Sequence, residues 1–377
     1  MRYRIIDVPA PASATEAPDW QARAVADVTS LLDAEVWGVD DFVTTPAEVV
    51  AGLAHQESNR KLRSLAVPAD VADPTEADVL GVGSVWLPLE DNTASANIWI
   101  GVRPRARGHG VGEALWQHAL RQVQDEGRTV LQAWSSFGVE PAADDPEAMS
   151  APTGSGRVPG NDPATRFALA RGFRLEQAER HSVLELPVSP AALERFRSEA
   201  QATAGEDYEL IAWGDTVPEE RLDSYCVLLR SMSTDAPSAG ITWEEEQWTP
   251  ERVRTSEVNL ADQGWHRIVL AALHRPSGEL AGYTAIDFKH DQPEVTFQDN
   301  TIVRADHRGH RLGMWLKAAN LQRLAQERPG SARVHTWNAE ENDYMLSINV
   351  ALGFYPAGGG AAWQLTLPGD AGLASGS

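Results

Sequence analysis

The stretch Arg107-Gly108-His109-Gly110-Val111-Gly112 is the most informative one for the fold of this 377-residue chain, because a similar stretch occurs again further along. Its near-copy, Arg308-Gly309-His310-Arg311-Leu312-Gly313, begins 201 positions later. Each copy follows a β-branched run and precedes an amphipathic stretch, which predicts a strand, a turn and a helix. Such a turn aims free backbone N–H groups at one point, at the positive end of the helix dipole. The sequence therefore predicts two anion-binding turns, which we call the first cradle (107–112) and the second cradle (308–313).

The bulk composition limits the class of protein. A chain of this length is too long for one ordinary core and fits two domains. Its formal net charge of -22 argues against nucleic acid as a partner, since little would neutralise phosphates. Cys226 is the only cysteine, so no intrachain disulfide can form. No run of about 18 apolar residues occurs, so we expect no membrane span and a cytoplasmic protein.

The order of predicted elements repeats along the chain. Strands and helices alternate up to residue 187, and the pattern restarts near residue 207 after Pro187-Val188-Ser189-Pro190. Residues 138–160 carry four prolines and predict a solvated loop. We therefore predict four segments: an N-terminal domain over 1–187, a helical linker over 188–206, a C-terminal domain over 207–370 and a flexible tail over 371–377.

The spacing of both cradles resembles the acetyl-coenzyme A signature of the GNAT N-acetyltransferases. A second element supports this resemblance, because Asn342-Asp343-Tyr344-Met345, Asn349 and Leu352-Gly353-Phe354 are similar to the family's Asn-x-x-Ala, Tyr and Leu-Gly-Phe. Residues 161–173 hold a thinner copy. The resemblance implies an α/β (mixed α+β) fold of two tandem GNAT-like domains, each a mixed, mostly antiparallel sheet flanked by helices. It also implies acetyl-CoA as cosubstrate and no metal.

The resemblance assigns cofactor-binding residues in both halves. In the second half these are Thr301, Ile302, Val303, Arg308, Gly309, His310, Arg311, Leu312, Gly313, Asn338, Asn342 and Met345. In the first half they are Val102, Arg107, Gly108, His109, Gly110, Val111 and Gly112. Arg311 replaces a glycine; we expect it to keep helical φ, and it is either a pyrophosphate ligand or a surface arginine.

Three residues are catalytic candidates, all in the second half. Asp299 interrupts an apolar strand, and period-2 alternation predicts that it shares a face with Phe297, Thr301 and Val303. A carboxylate in an apolar strand destabilises the fold unless it has a partner or a function, so we expect Asp299 to be a general base. The alternative is that Asp299 is a residue of a β-bulge, hydrogen-bonded to the backbone. Asn349 stands where the family has a proton-donating Tyr, so Tyr344 or water would supply that proton. In the first half, Ile98 takes the place of Asp299. We therefore expect the first half to bind cofactor or only to complete the fold.

The acceptor is expected to be a cationic amine. Asp235, Trp243, Glu245, Glu246 and Trp337 would line its pocket, because acids interleaved with Trp suit an ammonium group; a solvated acidic helix start explains the acids equally well. The predicted function is transfer of acetyl from acetyl-CoA to a primary amine of a small molecule, by a monomer or homodimer. The alternatives are a protein lysine or N-terminal acetyltransferase and a non-catalytic acyl-CoA-binding protein.

Overall fold

A computed structural model describes residues 2–368, which divide into two compact units. Unit 1 comprises 2–178, 239–242 and 360–368, and unit 2 comprises 179–238 and 243–359. The segment 188–206, predicted as a linker, lies in unit 2, where its helix packs on the helix that follows the second cradle. The predicted tail, 371–377, lies outside the described residues. No helix within residues 2–368 has the length and apolar character needed to cross a membrane.

Unit 1 contains a mostly antiparallel sheet flanked by helices. Its strands follow the order β1-β2-β3-β4-β5, and β4 and β5 are parallel. The elements are β1 (Tyr3–Val8), α1 (Trp20–Trp37), α2 (Pro46–Ala54), β2 (Asn59–Pro68), β3 (Gly81–Pro88), β4 (Ser95–Val102), α3 (Val111–Asp125), β5 (Val130–Phe137), β6 (Ala148–Ser150), β7 (Arg157–Pro159) and α4 (Pro163–Leu169). The first residues of β8 (Arg174–Glu185) and the last ones of β14 (Tyr355–Thr366) also belong to this unit.

Unit 2 repeats this architecture. Its strands follow the order β9-β10-β11-β12-β13-β8, and β12 and β13 are parallel. The elements are α5 (Pro190–Ala204), β9 (Tyr208–Trp213), α6 (Leu222–Asp235), α7 (Pro250–Asp262), β10 (Trp265–His274), β11 (Glu279–Lys289), β12 (Val295–Val303), α8 (Leu312–Glu327), β13 (Arg333–Ala339) and α9 (Asp343–Leu352). The predicted fold class is confirmed.

Helix starts follow from local capping chemistry. The Asp19 side chain accepts a hydrogen bond from the Ala22 amide and begins α1. Thr45 and Glu48 form a reciprocal capping box at α2, with Pro46 in the first turn. Both helices pack in one apolar cluster with Trp99 of β4 in unit 1.

Close approach of α3 to the sheet depends on small residues in β3. A Cβ on Gly81 would lie 2.6 Å from the Gly101 carbonyl oxygen and 3.1 Å from Leu115 Cδ1. Leu115 is fully buried against this strand. In unit 2, Leu312 and Leu316 of α8 pack on one face of the sheet, and Tyr225 and Leu228 of α6 pack in the core on the other. Each cradle helix is thereby fixed against its sheet.

Two parts of the fold differ from the sequence-based expectation. Residues 138–160 are not simply a solvated loop, because β6 and β7 pair as a hairpin whose Val158 is fully buried in the unit 1 core. Strands β2 and β14 were not predicted. Arg60, Lys61 and Arg63 break the apolar pattern of β2, and three consecutive glycines, 358–360, stand in β14.

Candidate functional site

In each unit the two parallel strands pair over a short length. In unit 1, β4 and β5 pair from Ser95–Val130 to Asn97–Gln132. In unit 2, β12 and β13 pair from Val295–Arg333 to Phe297–His335. Beyond the last pair in unit 1, the strands border a cleft beside the start of α3. The carboxyl end of a sheet that opens in this way is a usual place for a ligand.

The first cradle turns at two glycines. Gly108 and Gly110 have φ of 74° and 84°, a left-handed conformation that glycine adopts at no steric cost. The Gly110 carbonyl accepts the first bond of α3, from the Ala114 amide. The amides at the start of α3 have no partner inside the helix, so they are free for an anion.

The second cradle has a similar backbone with one costly substitution. Arg311 takes φ of 55°, so the prediction that it keeps helical φ is wrong. A non-glycine residue in this conformation costs roughly 1–2 kcal/mol. Its guanidinium lies 3.8 Å from the Glu199 carboxylate of α5, and the ring of His310 lies 5.2 Å from that of Tyr208.

A cleft of about 820 Å³ opens in unit 1 beside the first cradle. It is lined by the separated ends of β4 and β5, the first cradle, the second half of α1, and α4. Trp99, Trp134, Ser135 and Ser136 line it from the strands. Most of the other lining is apolar, which is typical of a small-molecule site.

Acidic side chains also line this cleft. They are Asp33 and Glu35 of α1, Glu113 of α3, and Asp162 before α4. These acids were not identified from the sequence, which showed only Ile98 where the second half has Asp299. Asp33 and Glu35 lie 62 and 60 positions before the first residue of β4, so the tertiary fold brings them here.

The two α1 carboxylates have different surroundings. Burial raises the pKa of Asp33 to about 6, and this side chain has no hydrogen-bond or ion-pair partner within residues 2–368. The Arg107 guanidinium donates to both oxygens of Glu35, at 2.7 and 2.5 Å. These hydrogen bonds lower the pKa of Glu35 and raise the pKa of Arg107. Asp33 is thus the more basic carboxylate.

The same contact occurs at the second cradle. Arg308 donates to the Asp235 carboxylate at 2.8 Å and to the Val303 carbonyl at 3.3 Å. Arg107 likewise donates to the Val102 carbonyl at 3.1 Å. Each cradle arginine therefore joins the end of its strand to an acid on an earlier helix, α1 in unit 1 and α6 in unit 2. Asp235, predicted to bind substrate, lies at the second cradle.

Asp299 does not share a face with Thr301 and Val303, so that part of the prediction is wrong. A register shift sets Asp299 and Asn300 opposite Ala285, which breaks the alternation. Asp299 accepts from Arg267 at 2.8 Å, and Arg267 also pairs with Asp287 at 2.7 Å. Thr301 instead bonds Thr284 at 2.8 Å, and Val303 packs with α8. The catalytic role of Asp299 is untested by this geometry and stays a prediction.

Residues of α9 come together near the start of α8. The Asn349 side-chain amide donates to the Asn338 side-chain oxygen at 2.7 Å, while its own Oδ1 is buried without a hydrogen bond from any described residue. Asn342 caps α9 by accepting from the Met345 amide at 3.2 Å. Tyr344 is exposed, with a ring carbon 3.8 Å from the place a Cβ on Gly313 would take.

The residues predicted to bind the acceptor in unit 2 take part in separate contacts. The Trp337 ring stacks on His181, with centroids 4.5 Å apart. Glu246 accepts from the Trp248 indole at 2.8 Å, whereas Trp243 and Glu245 are exposed. Within the predicted set, Asp235 contacts a cradle residue, Arg308.

Sequence reasoning also missed a buried lysine in unit 2. Lys317 of α8 is 1% exposed; its ammonium lies 3.9 Å from Met345 Sδ and 5.5 Å from the Phe354 ring. Burial lowers the pKa of Lys317 to about 7. The corresponding contact in unit 1 is between two aromatic rings, Trp116 and Phe173, with centroids 5.6 Å apart.

Comparison with known proteins agrees with the geometry. Residues 46–143, which contain the first cradle, match the family model described as "Acetyltransferase (GNAT) family". No curated protein matches the chain at a significant level.

Solved structures extend the likeness to both units. A tandem GNAT protein from the clavulanic acid biosynthesis pathway is 24% identical, with 97% of this chain and 98% of that chain covered and a TM-score of 0.69. A GCN5-related N-acetyltransferase from Sphaerobacter thermophilus is 17% identical, with 97% and 96% covered and a TM-score of 0.57. A GCN5-related glucosamine N-acetyltransferase region of a fungal multi-domain enzyme is 12% identical, with 96% and 38% covered and a TM-score of 0.58. At these identities the likeness establishes the fold.

Proposed function

We propose that the chain is an acetyl-CoA-dependent N-acetyltransferase, because residues 46–143 match the GNAT family model and the fold is that of tandem GNAT proteins. The acceptor is a primary amine on a small, cationic molecule, and the transfer takes place in the unit 1 cleft. The observation that carries this proposal is that cleft, which joins the first cradle to a set of carboxylates and aromatic side chains.

The first cradle fits the pyrophosphate of acetyl-CoA. A Cβ on Gly110 would lie 2.6 Å from the Tyr3 hydroxyl oxygen, and one on Gly112 would lie 3.0 Å from the Phe167 ring. A side chain at either position would collide with its neighbour, so the turn that aims these amides requires glycine there. The pantetheine arm would lie between β4 and β5, as an added strand that uses their free backbone groups.

The acidic end of the cleft supports a cationic acceptor. Asp33 provides a carboxylate there, and Trp99 and Trp134 provide indole rings. Carboxylates and indole rings both attract an ammonium group. The net charge of -22 would also raise the local concentration of a cationic molecule.

Unit 2 is proposed to bind a second acyl-CoA at Gly309 to Gly313. The alternative to be tested is that the transfer takes place in unit 2, with Asp299 as base and with Asn349 and Tyr344 as the other catalytic residues. Asp299 would have to leave Arg267 to accept a proton, because an ion-paired carboxylate is a weak base.

Paired cradle variants test which unit works. Gly112→Val and Gly313→Val add the same bulk at equivalent positions of the two cradles. We expect Gly112→Val to raise the KM for acetyl-CoA at least about tenfold, measured by thiol release with aminoglycosides, polyamines and amino acids. Gly313→Val should change turnover less than about twofold.

The melting temperature of both variants without ligand controls for folding. If Gly313→Val abolishes thiol release while Gly112→Val leaves it intact, the unit 1 assignment is wrong. If the wild-type protein releases no thiol with any amine, the proposed activity is wrong.

A further inference from the structure

Helix α1 crosses the mouth of the gap between β4 and β5. At one end, Leu32 Cδ1 lies 2.6 Å from the place a Cβ on Gly101 of β4 would take. At the other, the Val36 carbonyl oxygen lies 2.6 Å from the place a Cβ on Gly138, just after β5, would take. This half of α1 therefore reaches from one separated strand to the other.

Asp33 lies between these two anchor points. It follows Leu32 directly and precedes Val36 by three positions, so the three side chains occupy one side of the helix. All three line the cleft. Asp33 therefore lines the cleft where the two strands separate, and a thioester held between these strands would be within the same cleft.

The carboxylate of Asp33 is not used by the fold. It has no hydrogen-bond or ion-pair partner within the described part of the chain, whereas the next acid on the helix, Glu35, is held by Arg107. A half-buried carboxylate without a partner lowers stability. Such an arrangement is typical of a group kept for a ligand.

The equivalent helix of unit 2 lacks this group. Asp235 of α6 pairs with Arg308 as Glu35 of α1 pairs with Arg107. Two positions before Asp235 stands Ser233, whose hydroxyl donates to the Arg230 carbonyl at 2.7 Å. The free carboxylate thus distinguishes α1 from α6.

We propose that Asp33 is a catalytic residue of unit 1: it pairs with the ammonium of the acceptor and takes its proton. This inference rests on the proposed function. Asp33 carboxylate accepts one proton from R–NH₃⁺, and the amine lone pair then attacks the thioester carbonyl carbon. The C–N bond forms, the C–S bond breaks, and the thiolate takes the second proton of the nitrogen, directly or through water. The proton on Asp33 returns to solvent.

The ionisation of Asp33 gives this proposal a pH signature. Burial raises its pKa to about 6, close to the pH at which a base is most effective. The carboxylate form increases as pH rises through that value, so kcat/KM for the amine should rise along the same limb.

The test compares Asp33→Asn and Asp33→Glu with the exposed control Asp40→Asn across pH 5 to 9. Asp33→Asn should lower kcat by roughly 10²–10⁴-fold and remove the limb near pH 6. Asp33→Glu should recover part of the rate and keep a limb, and Asp40→Asn should match the wild type. The shift in melting temperature caused by CoA should be the same in all four proteins.

Two results separate the inference from the proposed function. If the wild type turns over and Asp33→Asn does so equally, with the same pH limb, then Asp33 is not the base and the acetyltransferase assignment stands. A wild type that releases no thiol overturns the acetyltransferase assignment and this inference together.

Discussion

Glu35 and Asp33 lie two positions apart on α1, yet Glu35 is ion-paired with Arg107 and Asp33 is not. Arg107 holds Glu35 through two hydrogen bonds, so neither member of this pair is fully available to a ligand. Acetyl-CoA brings a pyrophosphate to the same cradle, where it would compete with Glu35 for the guanidinium. The ion pair between Glu35 and Arg107 is therefore expected to weaken cofactor binding in unit 1.

Removal of that carboxylate should tighten cofactor binding. Glu35→Gln removes the carboxylate that Arg107 holds, so we expect the Kd for CoA to fall by roughly 1.5- to fivefold at low salt, since half-exposed ion pairs contribute about 0.2–1 kcal/mol. Calorimetry at low and high salt measures this change. Asp235→Asn is the matched variant for Arg308. Weaker CoA binding by Glu35→Gln would indicate that the pair instead holds the cradle in its binding geometry.

At the residue scale, the sequence predicts sites whose residues are close together along the chain. The cradles could be predicted because glycines at fixed spacing before a helix define a backbone turn by themselves. Asp33 could not be found this way, since its role depends on where α1 crosses the sheet. The face of Asp299 was predicted wrongly because one register shift in β12 reverses the alternation on which the argument depended.

Helix α8 differs from α3 at the element scale in carrying a buried charge. Lys317 packs in a core among apolar side chains, where unit 1 has Trp116. Its folded-state pKa is about 7, against a usual value of 10.5. Below pH 7, Lys317 is protonated in both the folded and the unfolded protein, so burial of its charge destabilises the folded state fully. Between these two pH values the unfolded state binds more protons, so the stability of unit 2 should rise with pH.

Lys317→Met should therefore stabilise the protein. Methionine has a similar length and no charge, so we expect the melting temperature to rise by about 5 °C at pH 7 and by less at pH 10. Scanning calorimetry at both pH values measures the effect. A lower melting temperature at both pH values would mean that the contacts of the ammonium with Met345 and Phe354 outweigh its burial.

Elements whose residues follow a simple period were predicted, and those that depend on tertiary pairing were missed. α2 was found because Thr45 and Pro46 mark its start. β14 was missed because its glycines carry no strand signal and only partner strands give it an extended conformation. The hairpin of β6 and β7 was hidden by prolines that stand at its edges.

At the scale of the whole molecule, two units with one architecture have different polar groups at the same places. Unit 1 has a cleft with a free carboxylate from α1, whereas unit 2 has paired carboxylates on its strands and a buried lysine. The second signature element is fuller in unit 2, so the sequence favoured that half as the catalytic one. The arrangement of α1 over the gap favours unit 1.

The location of the cofactor tests this account most directly. A crystal structure of the protein grown with CoA should show its pyrophosphate on the amides of residues 108–112 and its thiol between β4 and β5, within reach of Asp33. CoA at the second cradle as well would agree with the account. CoA bound at residues 309–313 alone, with the unit 1 cleft empty at saturating ligand, would contradict it.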